Sequence, residues 1–83
     1  MSQTIKYPLN TEKSIRMIES DNKMIFIVDI KAKKQEIKQE IEKMFNVKVD
    51  GITTAVHNGE KRAYVKFSAE TPALDIATQM GLM

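Results

Sequence analysis

Five consecutive apolar residues, Met24-Ile25-Phe26-Ile27-Val28, constrain this chain more than any other feature. The run is too short for a helix and is apolar at both alternating positions. It therefore reads as a strand covered on both faces, and hence central in a sheet. Asp29 interrupts the run and Ile30 resumes it.

A central strand needs partners, and the stretch from Gly59 to Phe67 supplies one. Read with a period of two, Ala63, Val65 and Phe67 point one way, while Arg62, Tyr64 and Lys66 point the other. The first set suits a core. The second places a ring between two cations, which suits phosphate and sugar contacts with stacking alongside. The same cations would equally keep a sheet surface soluble and guard an edge. His57-Asn58-Gly59-Glu60 is a turn signal, because Asn and Gly tolerate positive φ. Val47 to Val56 before it is the partner strand, so the expectation is a basic hairpin.

Thr4-Ile5-Lys6-Tyr7 alternates and stops at Pro8, which predicts a short edge strand. Asn10 and Thr11 are both good N-caps for a helix from Glu12 to about Glu19, with Ile15, Met17 and Ile18 on its apolar side. From about Lys33 to Phe45 the period becomes helical: Ile37, Ile41, Met44 and Phe45 form one stripe, and Lys38 with Glu42 offers an opposite-charge pair. Asn46 is a stop. Thr71 as N-cap and Pro72 at the first helical position open a last helix that Gly81 ends. Leu74, Ala77 and Met80 would dock on the sheet, with Ala73 and Ile76 beside them. The order β-α-β-α-β-β-α predicts one α+β domain over 1–83, a four-stranded, mainly antiparallel sheet with packed helices. The six methionines read as adaptable core filler.

Catalytic chemistry is poorly provided for. The single histidine, His57, lies in a polar turn, there is no cysteine, and Gly51, Gly59 and Gly81 form no phosphate loop. No enzyme, cofactor or metal site is expected. The lack of cysteine fits a reducing cytosol. No stretch approaches a membrane span, and the N-terminus lacks a signal-peptide layout, so a cytoplasmic location without membrane contact is expected. Lys plus Arg exceed Asp plus Glu by only 13 to 11, so the distribution of charge matters more than its sum. Lys61, Arg62 and Lys66 are the candidate phosphate ligands, and Lys6 and Lys13 could extend the footprint. Lys33 and Lys34 oppose the dipole of the second helix and are less convincing.

Several pieces then come together: Thr11-Glu12-Lys13-Ser14, Asn22 with Phe26 and Val28, Ala32-Lys33 with Ile37, Val47-Lys48-Val49, and Gly59-Glu60-Lys61-Arg62-Ala63-Tyr64-Val65. In this order and spacing the chain resembles the large-subunit ribosomal protein twenty-three family, in its archaeal form, from about Ile5 to Gly81. The resemblance implies a structural constituent of the ribosome that binds the third domain of large-subunit ribosomal RNA. It also implies a place at the rim of the nascent-chain exit tunnel beside ribosomal protein twenty-nine, as a monomer within the ribosome. There it would form part of the docking site for factors such as the signal recognition particle. Carried over by motif, Thr11, Lys13, Lys61, Arg62 and Tyr64 are the expected RNA contacts. Lys6, Thr54, Asn58 and Lys66 complete the candidate set, since Lys, Arg, Thr and Asn suit phosphate and 2′-hydroxyl contacts.

Two departures qualify the resemblance. Ile52-Thr53-Thr54 stands where the family often has Val-Asn-Thr, so that asparagine amide is missing. The hairpin loop is short, without the tunnel extension of bacterial relatives. The basic N-terminal extension of eukaryotic relatives is lacking too, which again points to an archaeal type. The nearest alternative is an RNA-recognition motif, but its signature strand wants a glycine and an aromatic where Lys61 and Arg62 stand. A small protein-interaction domain is the other; the outer face of the 33–45 helix is charged and offers no apolar hot spot.

Overall fold

The computed structural model describes residues 4–82. Its elements run β1 (Ile5–Pro8), α1 (Glu12–Ser20), β2 (Lys23–Val28), α2 (Lys34–Phe45), β3 (Val49–His57), β4 (Glu60–Phe67) and α3 (Ala73–Gln79). The strands form one antiparallel sheet in the order β1-β2-β4-β3. The predicted α+β order is the observed one, and β2 lies inside the sheet. β1 is an edge strand that carries its pairing through Pro8, which faces Phe26. Pro8 has no N–H to donate, a lack that an edge strand tolerates.

The core lies between one face of the sheet and the helices. Met24, Phe26 and Val28 of β2 join Ala63, Val65 and Phe67 of β4, and Ile18, Ile37, Ile41 and Ile76 cover them from α1, α2 and α3. Ile25 and Ile27 are also buried, yet they stand on the opposite face and outside that cluster. The apolar run is thus covered on both faces, with helices on one side only.

Local chemistry sets the element ends. Thr11 caps α1 in a reciprocal box: its Oγ1 accepts the Ser14 N–H at 3.2 Å, and its own N–H donates to Ser14 Oγ at 2.8 Å. Ser14 is 1% exposed, and its hydroxyl reaches the Leu9 and Thr11 carbonyls. Asn46 ends α2 in the left-handed region at φ 54°. Asn58 and Gly59, at φ 51° and 78°, make the two-residue turn with positive φ at both central positions that suits the twist of the β3–β4 hairpin.

Several expectations give way to tertiary structure. β2 ends at Val28, and Asp29 folds the chain back, its carboxylate accepting the Lys31 N–H and its carbonyl the Ala32 N–H. Ile30 is therefore left exposed in a turn. Glu42 is not paired with Lys38; its carboxylate accepts the Val49 N–H at 3.0 Å and anchors the start of β3. Pro72, not Thr71, is the N-cap of α3, and it offers no side-chain cap. Asn22 provides the missing acceptor from 51 residues away, taking the Ala73 N–H at 2.6 Å. That anchor turns Ala73, Ile76 and Ala77 inward and leaves Leu74 45% exposed. Among the methionines Met24 is in the core, Met17 and Met80 are half-buried and Met44 is exposed; Met1 and Met83 lie outside the described residues.

Asn22 does more than cap α3. It sits at φ 56° between α1 and β2, and its Nδ2 donates to the carbonyls of Phe67 (3.2 Å), Ser68 (3.1 Å) and Thr71 (3.1 Å). Asn22→Gly keeps the backbone conformation and removes these bonds. It should lower stability in urea denaturation by roughly 2 to 4 kcal/mol, at about 1 kcal/mol per net hydrogen bond. Asn46→Gly, at a similar φ but with no side-chain hydrogen bond among the described residues, should be near neutral.

Candidate nucleic-acid interface

The face of the sheet turned away from the helices is an ordered grid, because register and pleat fix which side chains are neighbours. One row across it reads Tyr7 of β1, Ile27 of β2, Arg62 of β4 and Ala55 of β3. The next reads Ile25, Tyr64 and Thr53, and the third Lys23, Lys66 and Gly51. Arg62 and Lys66 thus stand about 13 Å apart along β4, at roughly 3.3 Å per residue, with Tyr64 midway. The predicted trio does share one face.

This arrangement explains how Ile25 and Ile27 are buried without a helix. Their cross-strand neighbours are Tyr64 and Arg62, both half-buried, whose apolar bodies can cover them on the sheet. The Nε–H of Arg62 is buried without an acceptor among the described residues. Tyr7 donates its phenol proton to Glu60 Oε2 at 3.0 Å, linking β1 to the start of β4 over β2. Among the described residues the one ion pair is Arg16–Glu12 on the exposed face of α1. No carboxylate among the described residues lies within ion-pair distance of Arg62 or Lys66.

The remaining candidates are distributed elsewhere. Lys61 points to the helix side, and its ammonium donates to the Ala32 carbonyl at 2.6 Å, tying β4 to the β2–α2 connection. Thr54 is half-buried opposite Ala63, on the core side. Lys6 occupies the bulge of β1 between Ile5 and Tyr7 and is exposed. Thr11 and Lys13 are exposed at the start of α1, where the Thr11 oxygen already serves the cap. Asn58 is exposed at the hairpin tip. An open groove of about 410 Å³ lined by Thr4, Asp29, Lys31, Ala32 and Glu36 lies outside the grid.

Tyr7, Lys23, Gly51 and Thr53 belong to the open face and escaped the reading of the sequence. Thr53 carried a usable signal, since a strand that turns Ile52 inward turns its neighbour outward. Tyr7 and Lys23 did not, because only the register places them beside Arg62 and Lys66. No group of three or more His, Cys, Asp or Glu placed to hold a metal occurs among the described residues. No helix among them is long and apolar enough to cross a membrane.

Compared with known families, residues 3–78 match the family model described as Ribosomal protein L23. The match spans the whole grid, all of α1 and α2, and α3 as far as Thr78.

The Tyr7–Glu60 contact has a pH signature. The hydrogen bond to Glu60 is the main cause that raises the Tyr7 pKa above its usual value of 10.0, with the carboxylate charge adding to it. The neutral phenol is the donor, so the contact is intact below pH 10 and is lost as pH rises through the raised pKa. In a Tyr64→Phe background, where Tyr7 is the only tyrosine, its absorbance titration should lie above the usual phenol value. Glu60→Ala should bring it back.

Proposed function

This chain belongs to the ribosomal protein L23 family, and on that premise we propose that the open face of its sheet binds large-subunit ribosomal RNA. As a family member the protein is a constituent of the large ribosomal subunit, structural rather than enzymatic. The observation that carries the RNA reading is the row Arg62-Tyr64-Lys66. It offers two cations without an ion-pair partner among the described residues, and a half-buried ring, on a face that no described helix covers. Cations bind phosphate without regard to sequence, and the ring packs against sugar or base, which suits a folded RNA recognised by its shape.

In this reading the target is the third domain of the RNA, and the protein sits as a monomer and a single domain over 1–83 at the exit-tunnel rim. Ribosomal protein twenty-nine is its neighbour there, and the signal recognition particle docks nearby. The short Asn58-Gly59 turn supports the archaeal type, since it leaves no hairpin extension to enter the tunnel. Arg62, Tyr64 and Lys66 form the centre of the interface. Lys6, Lys13 and Thr11 lie at its β1–α1 margin and Asn58 at the hairpin tip. Lys61 and Thr54 contribute from the other side of the hairpin, with Lys61 keeping two ammonium protons beyond its bond to Ala32.

The test is binding of the purified chain to that RNA domain across a salt series, with unrelated structured RNA as competitor. Arg62→Met removes the guanidinium while keeping an apolar cover over Ile27. It should weaken binding roughly tenfold, the effect expected for a charged hydrogen bond of about 1.5 kcal/mol. The salt slope should fall by about 0.7 to 0.9, one phosphate contact. Equal, weak affinity for every RNA, unchanged in the variant, would reduce the basic face to a solvating surface.

A further inference from the structure

We propose that Lys23, Lys66 and Gly51 form a phosphate subsite on the open face, a place where an RNA backbone approaches the sheet closely. The proposal rests on the RNA reading above and names where on that face the phosphodiester sits. Three observations converge on it. Lys23 and Lys66 are direct cross-strand partners on adjacent strands, and both point away from the helices. Like charges in that relation repel and destabilise the pair of strands. No carboxylate among the described residues comes within ion-pair distance of either ammonium. An anion bridging the two would turn that repulsion into attraction.

The third observation is Gly51, the partner of Lys66 on its other side. Glycine weakens a strand, and its usual justifications are a positive φ, an internal neighbour too close for a Cβ, or a bulge. The φ of Gly51 lies outside the left-handed region, and a Cβ built on it meets nothing within 4 Å. The register of β3 on β4 does shift between Val49 and Gly51, so a bulge shapes the backbone here. It leaves Gly51 beside Lys66 with no side chain of its own, which lets a ligand come close, and the two ammonium groups beside it state the charge of what approaches. The third row of the grid is therefore flat at Gly51 and positive at Lys66 and Lys23, which fits a phosphate and its ribose.

The experiment compares Lys23→Gln, Lys66→Gln, Gly51→Ala and Arg62→Met, each as the free protein and with the third domain of large-subunit ribosomal RNA. In the free protein, both lysine variants should raise the thermal midpoint by relieving repulsion, and Gly51→Ala should hold or raise it. On RNA the order should reverse. Each lysine variant should lose roughly tenfold in affinity, with the salt slope reduced by about 0.7 to 0.9. Gly51→Ala should lose affinity although no charge has changed. A more stable protein that binds RNA less well is the signature of a built subsite. If Arg62→Met weakens binding while the three subsite variants leave it unchanged, the subsite is overturned and the RNA reading stands. If Arg62→Met is neutral as well, the RNA reading of this face falls, and the subsite with it.

Discussion

The Asn22 carboxamide closes the structure at the point where its two halves meet. It lies in the turn that delivers the chain from α1 into the central strand, and it grips the segment that leaves β4 for α3. Two amide protons serve three carbonyls and one oxygen serves the first N–H of α3, so the side chain is fully used. The left-handed backbone at Asn22 is what aims it, and asparagine reaches that conformation more readily than other residues with a side chain. Once this corner is fixed, α3 has one orientation on the sheet and its apolar residues one register. The opposite face is thereby left to the strands alone.

A sheet with helices on one side must still protect its second face, and here the β4 side chains do so. Arg62 and Tyr64 lie against Ile27 and Ile25, so the groups that shield apolar surface are also the groups that present charge and ring edge. If the proposed RNA reading holds, this dual use links packing to function. The side chains are ordered by burial of their stems before any ligand arrives, which lowers the entropic cost of binding. It also means that truncation to alanine would confound two effects, whereas a swap of Arg for Met separates them.

The element order was legible in the sequence because strand and helix periods are local. The run at Met24–Val28, the stripe through Ile37 and Ile41 and the Asn58-Gly59 turn all speak within a few residues. What the sequence concealed was long-range hydrogen bonding. Glu42 looked like a partner for Lys38 because they share a helix face, but the buried backbone N–H of Val49 is a donor with the more pressing need of an acceptor. Lys61 looked like its neighbour Arg62, yet strand parity sends it to the helix side and to Ala32. Leu74 has more apolar surface than Ala73, and periodicity alone favoured it for the core. The Asn22–Ala73 bond decided otherwise. For the candidate site, the β4 row followed from alternation alone, while Tyr7 and Lys23 entered only through the register.

The distribution of unmet electrostatic demands over the two faces supports an external partner more strongly than the net charge does. On the helix side the buried or half-buried polar groups Ser14, Asn22, Glu42 and Lys61 each have partners within the chain. On the open side Lys23 opposes Lys66, and the buried Arg62 Nε–H finds no acceptor among the described residues. A chain of 83 residues has little stability to lose, so such costs gathered on one face call for a cause. Solubility is a weak one, because separated lysines would serve it without repulsion. A polyanion is a better one, since the same cations that strain the free sheet then become its attachment points. On the proposed reading, that repulsion is relieved where the face meets RNA in the large subunit.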